Sequence, residues 1–180
     1  LQNLDSVQAL NRDELLTLLA TAKQARESDW LLMVVALNHG LRVSEVTRIT
    51  PHDIRGGQLT VRRLKGSKTT DQPLVEHQDP LLSEAAALTE LARRTPKNQP
   101  LFKMHRSTAW RRIQRHAKAA GISERKASVR SLKHTLATLT IDRAGVKAVQ
   151  LQLGHVSAKN TLVYTDISTE EAAARVRGAL

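Results

Sequence analysis

Apolar residues recur at helical spacing along most of this chain and at strand spacing in one stretch only. Residues 11–26, "NRDELLTLLATAKQAR", form one amphipathic period, with Asn11 and Glu14 placed as a capping box. "WLLMVVALNHG", after Asp29, is apolar nearly all round and predicts a buried helix ending at Gly40. "LRVSEVTRI" predicts a short helix that stops before Pro51. The period then changes. "GGQLTVRRLKGSKTTDQPLV" carries a Gly-Gly breaker and a Lys-Gly-Ser-Lys turn between β-prone residues, predicting a hairpin over 58–64 and 69–75. Helical spacing returns in "DPLLSEAAALTELARR", with Asp79 as cap and Pro80 at the first position. It continues from Ser107 to Gly121, through "SVRSLKHTLATLTIDRAG" to Gly145, and through "VKAVQLQLG" to Gly154. A short helix is expected around Tyr164, and a last one with Ser168 and Glu171 as capping box. The pattern predicts a mainly α fold with a small antiparallel β-sheet, a hairpin. Residues 95–100, "TPKNQP", are at most a weak linker candidate.

Composition narrows the partner. The 180 residues suit one domain, with room for a small appendage. Lys and Arg number 28 against 17 Asp and Glu, a net charge of +11. Such an excess points to a polyanion, with nucleic acid ahead of a membrane surface. No apolar run is long enough to span a bilayer, and no signal-peptide pattern appears. The absence of cysteine excludes disulfides and thiolate metal sites. The chain opens on Leu1, which suggests further sequence upstream.

The candidate chemistry is a series of cations and one phenol. The histidines show no metal-ligand spacing and no phosphate-binding glycine motif is present, so neither a metal nor a nucleotide cofactor is expected. What remains is Arg42 in "HGLRVSEV", Lys65 at the hairpin tip, Arg130, Lys133 and His134 in "VRSLKHTLAT", His155 in "LGH", and Tyr164, the single tyrosine. Taken singly, each has an ordinary role: a surface arginine, a solvated turn lysine, a basic helix face, a capping histidine, a half-buried phenol. Their order and spacing carry more.

That ordered set resembles the catalytic domain of the tyrosine recombinases, the phage integrase family, from about Leu10 to Thr169. "ALNHGLRVSEVTRITPHDI" is similar to its first arginine block, "LTVRRLKGSKTTDQPL" to its lysine hairpin, and "VRSLKHTLATLTIDRAGVKAVQLQLGHVSAKNTLVYTDIS" to its second and third blocks. The resemblance implies that Tyr164 attacks a DNA phosphate to give a 3′-phosphotyrosyl link, without metal or ATP. It implies that Arg42 holds the phosphate, that His155 bonds it or orients the site, that Glu45 steadies Arg42 or the neighbouring helix, and that Lys65, rather than Lys68, protonates the leaving 5′-oxygen. Planar guanidinium forks suit the charge that develops on the non-bridging oxygens. By the same resemblance, residues 1–180 are a catalytic domain whose N-terminal DNA-clamping domain is absent from this chain. The expected partner is double-stranded DNA, bound as a homo-tetramer to which residues 168–180 contribute, the isolated domain being monomeric. The expected location is the cytoplasm, at the nucleoid of a bacterium or a phage-infected host.

One block departs from the family. Where it reads His-x-x-Arg, this chain has Arg130-x-x-Lys133. Charge is kept, but an ammonium binds as a point and an arginine does not act as a base. Two readings stay open: an active recombinase in which Arg130 reaches the phosphate and Lys133 takes the basic role, or a weakened member that binds DNA. The basic segment 105–118 supplies Arg106, Arg111, Arg112 and Arg115 as DNA contacts, with Arg62 and Arg63 of the hairpin as weaker ones. A helix-turn-helix regulator would explain that helix but not Lys65, His155 and Tyr164. RNA binding would need stacking aromatics that the chain lacks.

Overall fold

The computed structural model describes residues 8–63, 69–155, 159–162 and 177. Helix α1 (Arg12–Ala25) begins with the expected reciprocal cap: Asn11 Oδ1 accepts from the Glu14 amide and Glu14 Oε2 accepts from the Asn11 amide, each at 2.8 Å. Helix α2 (Glu27–Asn38) is buried from Asp29 to Leu37. It is the axis of the fold, packed by α1 on one side and by α6 (Val129–Leu153) on another. Helix α5 (Arg106–Ala119) closes the bundle against α1 and α2. Leu18, Leu19, Met33, Val34, Ile113 and Leu132 meet in the core. The bulk of the stabilisation is removal of these aliphatic side chains from water.

The sheet has three antiparallel strands in the order β1 (Ile54–Arg55), β2 (Gln58–Val61), β3 (Thr70–Pro73). The hairpin stands where expected, with shorter strands, and the Gly-Gly breaker turns out to connect an additional short strand. Register pairs Leu59 with Gln72 and Val61 with Thr70. Leu59 and Val61 are buried, so alternate residues of β2 face the helices. The hairpin tip, residues 64–68, lies outside the described residues, as do the expected cap at Ser168 and Glu171 and the stretch around Tyr164.

Two boundaries differ from the sequence expectation. Helix α4 (Ala85–Arg94) starts after Glu84, not at Asp79. Asp79 instead closes a turn, its Oδ1 accepting from the Leu81 amide and its carbonyl from Leu82. Glu84 is drawn into the core by buried polar partners: it receives Asn38 Nδ2 at 2.9 Å and pairs with Nε2 of His39. That demand sets the helix start more firmly than the local cap signal does. Helix α6 runs through Gly145 as one element, but Gly145 has φ 78 and ψ 156, so the expected break is present as a kink. Residues 95–100 separate no cores: the Leu101 amide bonds the Ile49 carbonyl, and Leu101 and Phe102 join the same cluster.

The turn after α2 meets the end of α6 closely. Gly40 has φ +56, and a Cβ there would lie 2.7 Å from Leu153 Cδ2. Gly40→Ala is therefore expected to cost about 2–4 kcal/mol, from left-handed strain plus overpacking, read as a lowered urea midpoint at unchanged m-value.

Candidate active site

Two elements and one strand end bring the cations together. Arg42 precedes the short helix α3 (Val43–Val46) in extended backbone. Its amide donates to Glu45 Oε2 at 2.7 Å and its Nη1 donates to Glu45 Oε1 at 2.9 Å. The Arg42 side chain stays 37% exposed, so one edge is pinned and the other faces outward. Glu45 is buried and takes a second cation, Arg63 Nη1, at 3.4 Å. It is a carboxylate between two guanidiniums.

Lys133 enters the same cluster from α6. The stripe Val129, Leu132, Lys133, Ala137, Ile141 is buried, so Lys133 points inward. Its Nζ donates to the Leu153 carbonyl at 2.9 Å. Burial, then the charges of Arg63 and Arg42, push its pKa down to about 7, with Glu45 acting in the opposite sense. Near neutral pH, Lys133 is thus a titrating group where an arginine would be a fixed charge. Arg130, off that stripe, is exposed; its charge acts on His134 instead, which burial and then Arg130 hold below the usual histidine range.

His155 follows the αL cap Gly154, its amide bonded to the Gln150 carbonyl at 3.0 Å. Its Nδ1 hydrogen-bonds with Thr161 Oγ1 of α7 (Lys159–Leu162) at 3.0 Å. Burial, then Lys133, Arg42, Arg63 and His134, push its pKa down to about 4, so it is neutral at pH 7. The structure thus gathers Arg42 and Lys133 about Glu45, with His155 in the field of both cations. Arg130 stands apart, and Lys65 and Tyr164 lie outside the described residues.

The expected DNA contacts divide. On α5, Arg106, Arg111 and Arg115 are exposed. Arg112 is turned inward, its Nη1 on Asp29 Oδ1 at 2.8 Å, while His116 Nε2 donates to Oδ2 of the same carboxylate at 2.9 Å. Arg62 is exposed, with Nε 3.1 Å from Asp53 Oδ1. Arg63 corrects the sequence expectation. It lies on the inward parity of Leu59 and Val61, and its side chain is wholly buried among backbone carbonyls and Glu45. Strand alternation was the available signal for this; the density of positive charge in "VRR" concealed it.

The phage integrase family model matches residues 8–171. The chain belongs to that family. It is 30% identical to the tyrosine recombinase XerA of Pyrococcus furiosus over 174 residues, covering 90% of this chain and 58% of that protein. It is 34% identical to the tyrosine recombinase XerD of Yersinia pestis over 155 residues, 79% of this chain and 50% of that protein. The chain therefore spans about half the length of the curated relatives it matches. Among solved structures, XerH recombinase bound to its difH substrate, in a pre-cleavage complex, superposes with a TM-score of 0.72 at 26% identity, over 92% of this chain and 53% of that one. The XerA recombinase crystal structure gives 0.72 at 24% identity, over 95% and 64%, a likeness of fold. A phage integrase fold, mostly helical with a small antiparallel sheet, is thereby established for this chain.

The buried cation has a thermodynamic signature. Between about 7 and the ordinary lysine value of 10.5, the unfolded chain holds a proton at Lys133 that the folded chain lacks. This group's contribution to stability therefore rises with pH across that window, and below about 7 its burial is a penalty. Lys133→Met is expected to stabilise the fold by about 1–3 kcal/mol at pH 6 and to flatten the rise, measured by urea unfolding across pH.

Proposed function

We propose that this chain is the catalytic module of a site-specific DNA recombinase that cleaves and rejoins strands through a 3′-phosphotyrosyl link on Tyr164. The observation that carries the reading is the gathering of Arg42 and Lys133 about the buried carboxylate Glu45, with His155 in the field of both cations, from three separate parts of the sequence. Such a pocket carries excess positive charge until an anion enters. A scissile phosphodiester is that anion, and charge developing on its non-bridging oxygens meets donors already in place.

The step conserves atoms and charge. The Tyr164 oxygen forms a bond to phosphorus as the bond from phosphorus to the 5′-oxygen breaks. The 5′-oxygen takes a proton from Lys65 at the hairpin tip. The phenolic proton needs an acceptor, because a tyrosine keeps it at neutral pH. Lys133 fits that part. Neutral in an appreciable fraction of molecules near pH 7, it gains proton affinity when the phosphate's negative charge arrives beside it. A second strand's 5′-hydroxyl reverses each transfer, so the ester bond energy is retained and no nucleoside triphosphate enters. Neutral His155 serves as a hydrogen-bonding group on the phosphate. Duplex DNA lies against α5, and a tetramer on two duplexes is the assembly in keeping with the λ integrase tetramer bound to a Holliday junction.

A second reading has its own support. Lys133 Nζ is tied to the Leu153 carbonyl and Arg130 lies outside the cluster, so among the described residues the cluster offers a phosphate one accessible fork, Arg42, rather than two. On that reading the chain holds DNA and cleaves it poorly.

Nicked suicide duplexes carrying sequence from either side of the gene separate the two. The first reading expects a covalent protein–DNA adduct that disappears in Tyr164→Phe; DNA binding with no adduct at any protein concentration favours the second. Binding itself is expected to weaken steeply with salt. Arg106→Ala, Arg111→Ala and Arg115→Ala should each lower the slope of log K against log[salt] by about one where the residue meets a phosphate.

A further inference from the structure

Arg63 is the cation that the reaction leaves unexplained. Four hydrogen bonds use its terminal nitrogens: Nη1 donates to the Gly40 carbonyl at 2.9 Å and to Glu45 Oε2 at 3.4 Å, and Nη2 donates to the His39 carbonyl at 2.9 Å and the Gln152 carbonyl at 2.6 Å. These acceptors belong to three separate segments: the turn that leads into Arg42, helix α3, and the last turn of α6. No terminal donor is left over for a phosphate.

The surroundings are built to this side chain. Gly154 has φ +65, and a Cβ on it would lie 2.7 Å from Arg63 Nε, 3.0 Å from Cδ and 3.2 Å from Cγ. The glycine that ends α6 therefore leaves room for the arginine stem as well as supplying the left-handed turn. The Gln152 carbonyl, held by Arg63, is followed directly by the Leu153 carbonyl, held by Lys133. Two cations thus share the negative end of one helix. Burying a guanidinium is costly, and an apolar chain of similar length would fill the space without that cost. A guanidinium does not shed its charge, whereas an ammonium in this place would titrate.

We propose that Arg63 is a positioning residue: a permanently charged internal tie that fixes the last turn of α6, which leads to His155 and Tyr164, against the turn bearing Arg42, and keeps a constant positive charge beside Lys133. Its consequence for catalysis rests on the strand-transfer reading; its effect on Lys133 and on the end of α6 does not. The groups that act on Lys133 are Arg63 after β2, Arg42 and Glu45 of the α3 region, with His155 beyond α6 and His134 on α6 itself also in the field.

The test uses the whole chain as Arg63→Met and Arg63→Lys. Lysine side-chain NMR gives the Lys133 titration midpoint, assigned by loss of its signal in Lys133→Met, and hydrogen exchange gives protection of residues 152–155. Arg63→Met removes tie and charge, so the midpoint should rise by about one pH unit or more and exchange at 152–155 should quicken at least tenfold. Arg63→Lys keeps part of the charge, as a titrating ammonium, but loses the planar fork, so exchange should quicken while the midpoint moves less than in Arg63→Met. On a suicide duplex, both variants should lose cleavage rate with DNA affinity within about twofold of the parent. An unchanged midpoint in folded Arg63→Met, or unchanged exchange in both variants, overturns the assignment. If Arg63→Met does not fold, Gly154→Ala displaces the stem and must move both readouts, or the assignment fails. Should the parent form no adduct while midpoint and exchange move as expected, strand transfer falls and the tie stands.

Discussion

Helix α6 ends with its carbonyls pointing at two buried positive charges, and the rest of the site is arranged around that meeting. A helix end is the natural place for a cation, because the last carbonyls have no partners within the helix. Here Arg63 and Lys133 arrive from different elements, one from the end of β2 and one from earlier in α6. Among the described residues Glu45 is the carboxylate that acts on both, and it also holds Arg42. The geometry of this cluster is thus fixed by contacts within the chain, the kind of preorganisation that the proposed strand transfer would draw on.

A second polar seam backs this one. Gln152 Nε2 donates to the Asn38 carbonyl at 2.7 Å and to Gln72 Oε1 at 2.9 Å, while His39 Nδ1 donates to the same Gln72 oxygen at 2.8 Å. His39 and Glu84, both fully buried, extend the chain of bonds to the start of α4. The seam ties α2, β3, α4 and α6 with directional contacts where aliphatic packing alone would permit sliding. The sheet's inward face carries Gln72 beside Leu59 and so meets the helices by hydrogen bonds as well as by burial.

The helices were legible because their signals were local and strong. Asn11 and Glu14 sit at capping-box spacing, and Gly154 follows an apolar period; both did what short-range chemistry dictates. Glu84 was not legible as a core residue, since its partners His39 and Asn38 are far away in sequence. For the site, the order of Arg42, Lys133 and His155 was readable and the structure brings them together. Direction was harder. Arg130 and Lys133 look equivalent in a string, yet only Lys133 falls on the stripe with Val129 and Leu132. Arg62 and Arg63 likewise differ only in parity, and parity decides which one meets solvent.

The shared field of Arg63 and Lys133 has a consequence for substitution at either position. An arginine at 133 would place a second unyielding guanidinium in the field of the first, whereas a lysine relieves the crowding by releasing its proton. Substitutions at 63 and 133 should therefore couple, and a change at either is interpretable only with the other in view.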